Sequence, residues 1–233
     1  MKKILLLSCF LIPSILFAQD KSVDALTVWN NYLEAIGGED LKQIKTFESI
    51  NNFGVNTKAT MKVKIIYPNK HYMKISDPEG EFISIYNDGQ GINIIDGKAT
   101  KMSESELHSS RMSSLIFPEY YAVEQGNKII LEETIEGESE TTYVILVSDE
   151  YRSMKYHISG KTWLPIKSED MGKELILNTF ITEQNITMPS KSTFIADSYE
   201  FSVELVSFKL NGRIKKSYFD ISNLLLFKLN PIL

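Results

Sequence analysis

The chain has 233 residues, with 25 Lys+Arg against 30 Asp+Glu and a formal net charge of -5. Hydrophobic residues make up 43% and charged residues 24%, an ordinary globular balance that excludes a disordered or collagen-like chain. The acidic balance, with no long basic cluster, argues against a nucleic-acid partner. A single cysteine excludes an internal disulfide framework and any cysteine-based zinc cluster.

The first segment carries an address. Lys2 and Lys3 precede an almost wholly apolar run from Ile4 to Phe17, and Ala18 stands before the polar Gln19-Asp20. A basic start, a short apolar region and a small residue before a polar one predict a secretory signal peptide over residues 1–18. The apolar run is shorter than the ~20 residues of a membrane span. Cys9 lies inside that run rather than at the cut, so no lipid anchor is expected. Removing residues 1–18 leaves a cysteine-free chain suited to an oxidising compartment outside the cytoplasm. Residues 19–233 contain no Pro- or Ser-rich linker and read as one domain. No later apolar run approaches membrane-spanning length; Leu224 to Phe227 is a short stretch.

Ala25, Leu26, Val28, Trp29, Tyr32, Leu33 and Ile36 recur at helical spacing and predict an amphipathic helix. Asp24 or Ser22 can cap its start, and Gly37-Gly38 ends it. From Thr46 the period changes to two. Met61, Val63, Ile65 and Tyr67 alternate with polar residues, Pro68-Asn69 turns the chain, and His71, Met73 and Ile75 alternate back. Further strands follow, joined by turn residues: Phe82–Tyr86, Ile92–Ile95, Lys128–Ile135, Thr141–Val147, Met154–Ile158, Trp163–Glu169, Glu174–Ile181, Ser192–Ile195 and Glu200–Leu210. Between them Ser103-Glu104-Ser105-Glu106 is a capping box opening a second helix, with Leu107, Arg111, Ser114 and Leu115 at helical spacing and Phe117-Pro118 as its end.

The predicted class is mainly β with α (α+β): about ten strands in one antiparallel meander and two or three helices. So long a sheet curls. If it curls without closing, its inner face is apolar and needs a cover, and the amphipathic helices are the available cover.

Tyr32-Leu33-Glu34-Ala35-Ile36-Gly37-Gly38, closing the first helix, resembles the start of bacterial outer-membrane lipoprotein-sorting proteins of the LolA/LolB/LppX-like group. Tyr86-Asn87-Asp88-Gly89-Gln90-Gly91 resembles that group's aspartate-glycine turn between two strands. Tyr143 to Val147 is similar to a later apolar strand. Tyr156 to Lys167, with Trp163-Leu164-Pro165, and Met188-Pro189 resemble its leucine-proline hairpin and a second such turn. The resemblance implies an unclosed β-barrel with a helical lid over a hydrophobic cavity, in the periplasm. It implies a lipid or lipoprotein acyl chain as ligand, inner- or outer-membrane sorting components as partners, and no cofactor. A lipid-binding or sensing role is as compatible with it as lipoprotein transfer.

Residue chemistry offers little else. His71, His108 and His157 lie far apart, without metal-type spacing, and no G-x-S-x-G elbow occurs. Gly89-Gln90-Gly91 is a hairpin turn rather than a dinucleotide loop. Asp77, Glu79 and Glu81 read as a solvated turn before a weak calcium site. Glu132-Glu133 and Glu136 to Glu140 read as a charged hairpin that discourages edge pairing. Asn185-Ile186-Thr187 fits a glycosylation sequon. The candidate ligand-binding set is therefore apolar: Trp29, Leu33 and Ile36 facing Met61, Val63, Ile65, Met73 and Ile75, with Leu107, Met112 and Leu115 on the lid. Methionines suit a site that moulds to flexible chains. Two other readings stand beside a non-catalytic carrier: an envelope structural or interaction module with a filled core, and a hydrolase using carboxylates on the same sheet.

Overall fold

The period-two segments pair into one antiparallel sheet of thirteen strands. The computed structural model describes residues 23–54, 59–196 and 199–222. The expected signal peptide at residues 1–18, Cys9, and Leu224 to Phe227 lie outside the described residues.

The strands are β1 (Thr46–Phe53), β2 (Ala59–Ile66), β3 (Lys70–Asp77), β4 (Gly80–Asn87), β5 (Gln90–Ile95) and β6 (Lys98–Lys101) in one arm. The other arm holds β7 (Lys128–Glu136), β8 (Thr141–Ser148), β9 (Ser153–Ser159), β10 (Pro165–Asp170), β11 (Lys173–Glu183), β12 (Ile186–Ala196) and β13 (Tyr199–Leu210). Each strand pairs with its sequence neighbour, and β1 pairs with β13, so the order runs from β6 through β1 and β13 to β7. The short polar β6 offers no apolar alternation and is absent from the sequence prediction. The edges β6 and β7 do not pair, so the sheet is an unclosed barrel. The acidic Glu132, Glu133 and Glu136 lie on the edge strand β7, where charge opposes pairing with another chain.

Among the described residues three α-helices accompany the sheet, α1 (Ala25–Ile36), α2 (Glu104–Ser113) and α3 (Pro118–Tyr121), with short 3-10 turns at Gly38–Gln43 and Lys216–Phe219. Asp24 caps α1 through the Thr27 N–H (2.9 Å), and Gly37, at φ +142°, takes the backbone conformation that ends it. Pro118 does not simply stop the second helix. It starts α3, at the first-turn position where its missing N–H costs nothing.

Register places two apolar faces. Phe47, Ile65, His71, Tyr86 and Gly91 lie opposite one another across β1 to β5, followed by the row Ser49, Val63, Met73, Ser84 and Asn93 and the row Asn51, Met61, Ile75, Phe82 and Ile95. Phe47 packs into the α1 core, so these rows belong to the helix-covered inner face. On the outer face Ile85 and Ile92 are also buried, under Ile221 of the C-terminal segment, and the Asn87 amide donates to the Phe219 carbonyl (3.0 Å).

The main core lies between α1 and the second arm. Trp29, Val28, Ile145, Ile158 and Ile186 are fully buried there. Trp29 meets Tyr32 and Tyr156 edge-on, with ring centroids 5.0 and 5.3 Å apart. α1 packs chiefly on β7, β8 and β12. This corrects the expectation that Trp29, Leu33 and Ile36 face β2 and β3. The inner face of β3, β4 and β5 is taken by α2 instead.

Candidate functional site

Topology decides where the lid lies. Residues 102–127 join the two free edges, β6 and β7, so this connection must cross the opening of the curled sheet. It contains α2 and α3. At one end Met102 and Leu107 sit over Gly91, where a Cβ would run into both, and the Asn93 amide donates to Glu106 (2.8 Å). At the other end the Ser114 hydroxyl donates to the Pro68 carbonyl (2.5 Å), fixing α2 to the turn between β2 and β3. Across the gap His108 Nε2 lies 3.1 Å from Asp149 Oδ2, beyond β8, and its ring centroid is 4.3 Å from that of Tyr151. Thus α2 ties the two arms together.

The capping box predicted at Ser103 is present, with the Ser103 hydroxyl accepting from the Glu106 N–H and the Glu106 carboxylate accepting from the Ser103 N–H. Ser103→Ala is expected to cost about 1 kcal/mol. Hydrogen exchange of the α2 amides should quicken, while that of α1 stays as it was.

Beneath the lid, between α1, α2, α3 and strands β8–β9, is a pocket of about 150 Å³. Its apolar lining includes Trp29, Met112, Val147 and Met154, and its polar lining includes His108, Glu119, Asp149, Arg152 and Tyr156. Burial pushes the Glu119 carboxyl above its ordinary range, and the Tyr156 hydroxyl donates to it (3.3 Å). Burial, with the neighbouring Glu119 adding to it, holds the Tyr156 phenol well above its ordinary value. At Asp149 burial acts upward, but the Tyr151 and Arg152 N–H groups and His108 outweigh it and hold the carboxyl low.

The structure distributes the predicted apolar residues over two neighbourhoods. Trp29 and Met112 line the pocket, while Ile36 is buried in the α1 core with Leu33 packed against it. Val63 and Met73 are cross-strand partners on the inner face, as are Met61 and Ile75, and all four are half-buried. Ile65 and Leu115 are buried, and Leu107 is half-buried over Gly91. The polar residues of the pocket escape sequence reasoning, because the Glu119–Tyr156 and His108–Asp149 partners are distant in sequence. Among the described residues no group of three or more His, Cys, Asp and Glu side chains is placed to hold a metal, and no helix is long and apolar enough to cross a membrane.

His71 shares the inner face with Ile65 and Tyr86 and is 7% exposed, and among the described residues its Nδ1 has no partner. Burial lowers its pKa from 6.5 to about 4. Below pH 6.5 the unfolded chain takes up a proton that the folded chain refuses, so stability is lost as pH falls towards 4. Urea unfolding should show about 2 kcal/mol less stability at pH 5 than at pH 7 from this group. His71→Leu should remove that component.

No protein-family model matches the chain, and no curated protein matches it significantly. Solved structures do. A DUF1329-family protein from Desulfovibrio piger aligns with a TM-score of 0.60 at 9% identity, over 86% of this chain and 99% of that one. A LolA-superfamily protein from Nitrosomonas europaea gives 0.58 at 11%, over 85% and 98%. A domain from Vibrio parahaemolyticus, named for outer-membrane lipoprotein sorting, gives 0.55 at 9%, over 82% and 97%. The fold is LolA-like. At these identities the likeness concerns architecture: a LolA-like unclosed sheet whose inner face the helices cover, as the resemblance of the sequence motifs implies.

Proposed function

We propose that the chain is a non-catalytic carrier that holds a lipid or a lipoprotein acyl chain on the inner face of its LolA-like sheet. The observation that carries this is the half-buried apolar strip Met61, Val63, Met73 and Ile75, which lies on the helix-covered face yet remains outside the α1 core. The pocket of about 150 Å³ is smaller than the ~300–1,000 Å³ of ordinary ligand sites. It takes one end of a guest, and the strip takes the rest. Burial of the guest supplies about 0.8 kcal/mol per methylene. With residues 1–18 as signal peptide the protein is periplasmic, and sorting components of the inner or outer membrane are its partners.

Purified protein should carry a co-purifying lipid in native mass spectrometry, released by organic solvent, and should take up a fluorescent fatty acid. Absence of both overturns the proposal. The second reading, an envelope interaction module with a filled core, is favoured by one observation: Trp29, Ile145, Ile158 and Ile186 leave no exposed surface under α1.

A further inference from the structure

The outer face of the sheet is basic around β13 and β1, although the chain as a whole is acidic. Lys209, Glu48, Lys64, Tyr72, Ile85 and Ile92 stand in one row across it, from β13 to β5. The segment after β13 lies over this row. Tyr218 meets Tyr72 edge-on at 5.2 Å, the Lys64 ammonium stands 4.7 Å from the centre of the Tyr218 ring, and Ile221 covers Ile85 and Ile92. Two adjoining grooves flank the segment, and Glu48 is the one carboxylate lining either.

The carboxylates near this face already have partners. Glu48 pairs with Lys64, Glu81 with Lys74 (2.5 Å), Asp88 with Lys70 (2.6 Å) and Glu204 with Lys191 (3.1 Å). Asp220 accepts from the Ser222 N–H (3.0 Å). Lys209, Arg213, Lys215 and Lys216 are exposed, and among the described residues none of them has a carboxylate partner. The acidic Glu132, Glu133 and Glu136 are on β7, six strands from β13, roughly 29 Å along the sheet. Charge is screened over ~10 Å at 0.1 M salt, so a surface approaching β13 meets the local cations and not the net charge.

The sequence continues from this same face. Ser222 lies beside the turn between β4 and β5, and residues 223–233 hold seven large apolar side chains, one lysine and no acidic residue. The outer patch does not need them as a cover, since Ile85 and Ile92 are 5% and 1% exposed under Ile221. An acidic protein would answer the cations and leave those apolar side chains in water. An anionic bilayer answers both, because its phosphates attract the basic face and its interface accepts apolar side chains. We propose that the outer face around β13 and β1, with the segment 211–222, docks on a membrane surface of anionic phospholipid, where apolar side chains of residues 223–233 enter the interface. This docking does not depend on whether the inner face holds a guest.

Co-sedimentation with vesicles tests it, using the chain expressed with its own residues 1–18 and purified from the periplasmic fraction. Phosphatidylcholine vesicles with roughly 30 mol% phosphatidylglycerol should be bound, pure phosphatidylcholine about tenfold more weakly, and ~0.5 M salt should remove the difference. The variant Lys209→Gln/Arg213→Gln/Lys216→Gln changes only exposed side chains and should weaken binding to the anionic vesicles about a hundredfold. Leu225→Ser/Phe227→Ser should weaken it about tenfold and leave its salt dependence as it was. Failure to bind either vesicle, or equal binding to both, overturns the docking face. So does wild-type binding by the triple variant with unchanged circular dichroism. Displacement from the vesicles by free glycerol phosphate would also overturn it, in favour of a site for a soluble phosphate ester.

Discussion

Trp29→Ala is expected to lower stability by about 3–5 kcal/mol, read as an earlier urea midpoint. Trp29 is wholly buried and packs edge-on against both Tyr32 and Tyr156, whose own rings are 6.1 Å apart. Removing the indole takes one member from this three-ring cluster and leaves a cavity beside the existing pocket. Tyr156 belongs to β9 and the other two rings to α1, so the cluster joins the helix to the sheet. Against a total stability of about 5–15 kcal/mol the loss is a large fraction. A change below ~1 kcal/mol would mean that α1 is not the central packing element of the second arm.

The double variant Val63→Asn/Met73→Gln is expected to weaken uptake of a fluorescent fatty acid about a hundredfold while the fold persists. The two side chains are cross-strand partners in the inner-face row that also holds Ser49 and Ser84. Both are half-buried, so polar replacements still reach solvent in the unliganded protein. Under a bound acyl chain those amides lose water without gaining partners, at about 1–3 kcal/mol each, and ~3 kcal/mol is about a hundredfold in affinity. Lys62, the exposed neighbour of Val63 on the other face, provides the control, and Lys62→Gln should leave binding unchanged. Unaltered binding in the double variant, with circular dichroism unchanged, would remove the strip from the ligand's path and favour the filled-core module.

Both variants act on residues whose type was legible and whose setting was not. The apolar spacing of α1, its Asp24 cap and its end at Gly37 are local signals, and so are the Ser103 capping box and the alternation that puts His71, Met73 and Ile75 on one face. Such features follow from a few bonds between near neighbours, and the sequence states them directly. The outer-face patch of Ile85 and Ile92 was less legible, because β4 and β5 are apolar on both faces and their cover, Ile221, comes from the far end of the chain.

Side-chain period and turns of a few residues were enough to read α1, α2, most of the strands, the antiparallel meander and the apolar character of one face, though not the short polar β6 or α3. Tertiary structure alone decided that β1 pairs with β13, that α1 lies on β7, β8 and β12, and that the chain between β6 and β7 must carry α2 across the opening. It also brought together His108 with Asp149 and Glu119 with Tyr156, whose separations of 41 and 37 residues leave no local trace. The physical reason is the same in each case. Period and propensity set which way a side chain faces within its own element, while the curl of the finished sheet sets what stands opposite it.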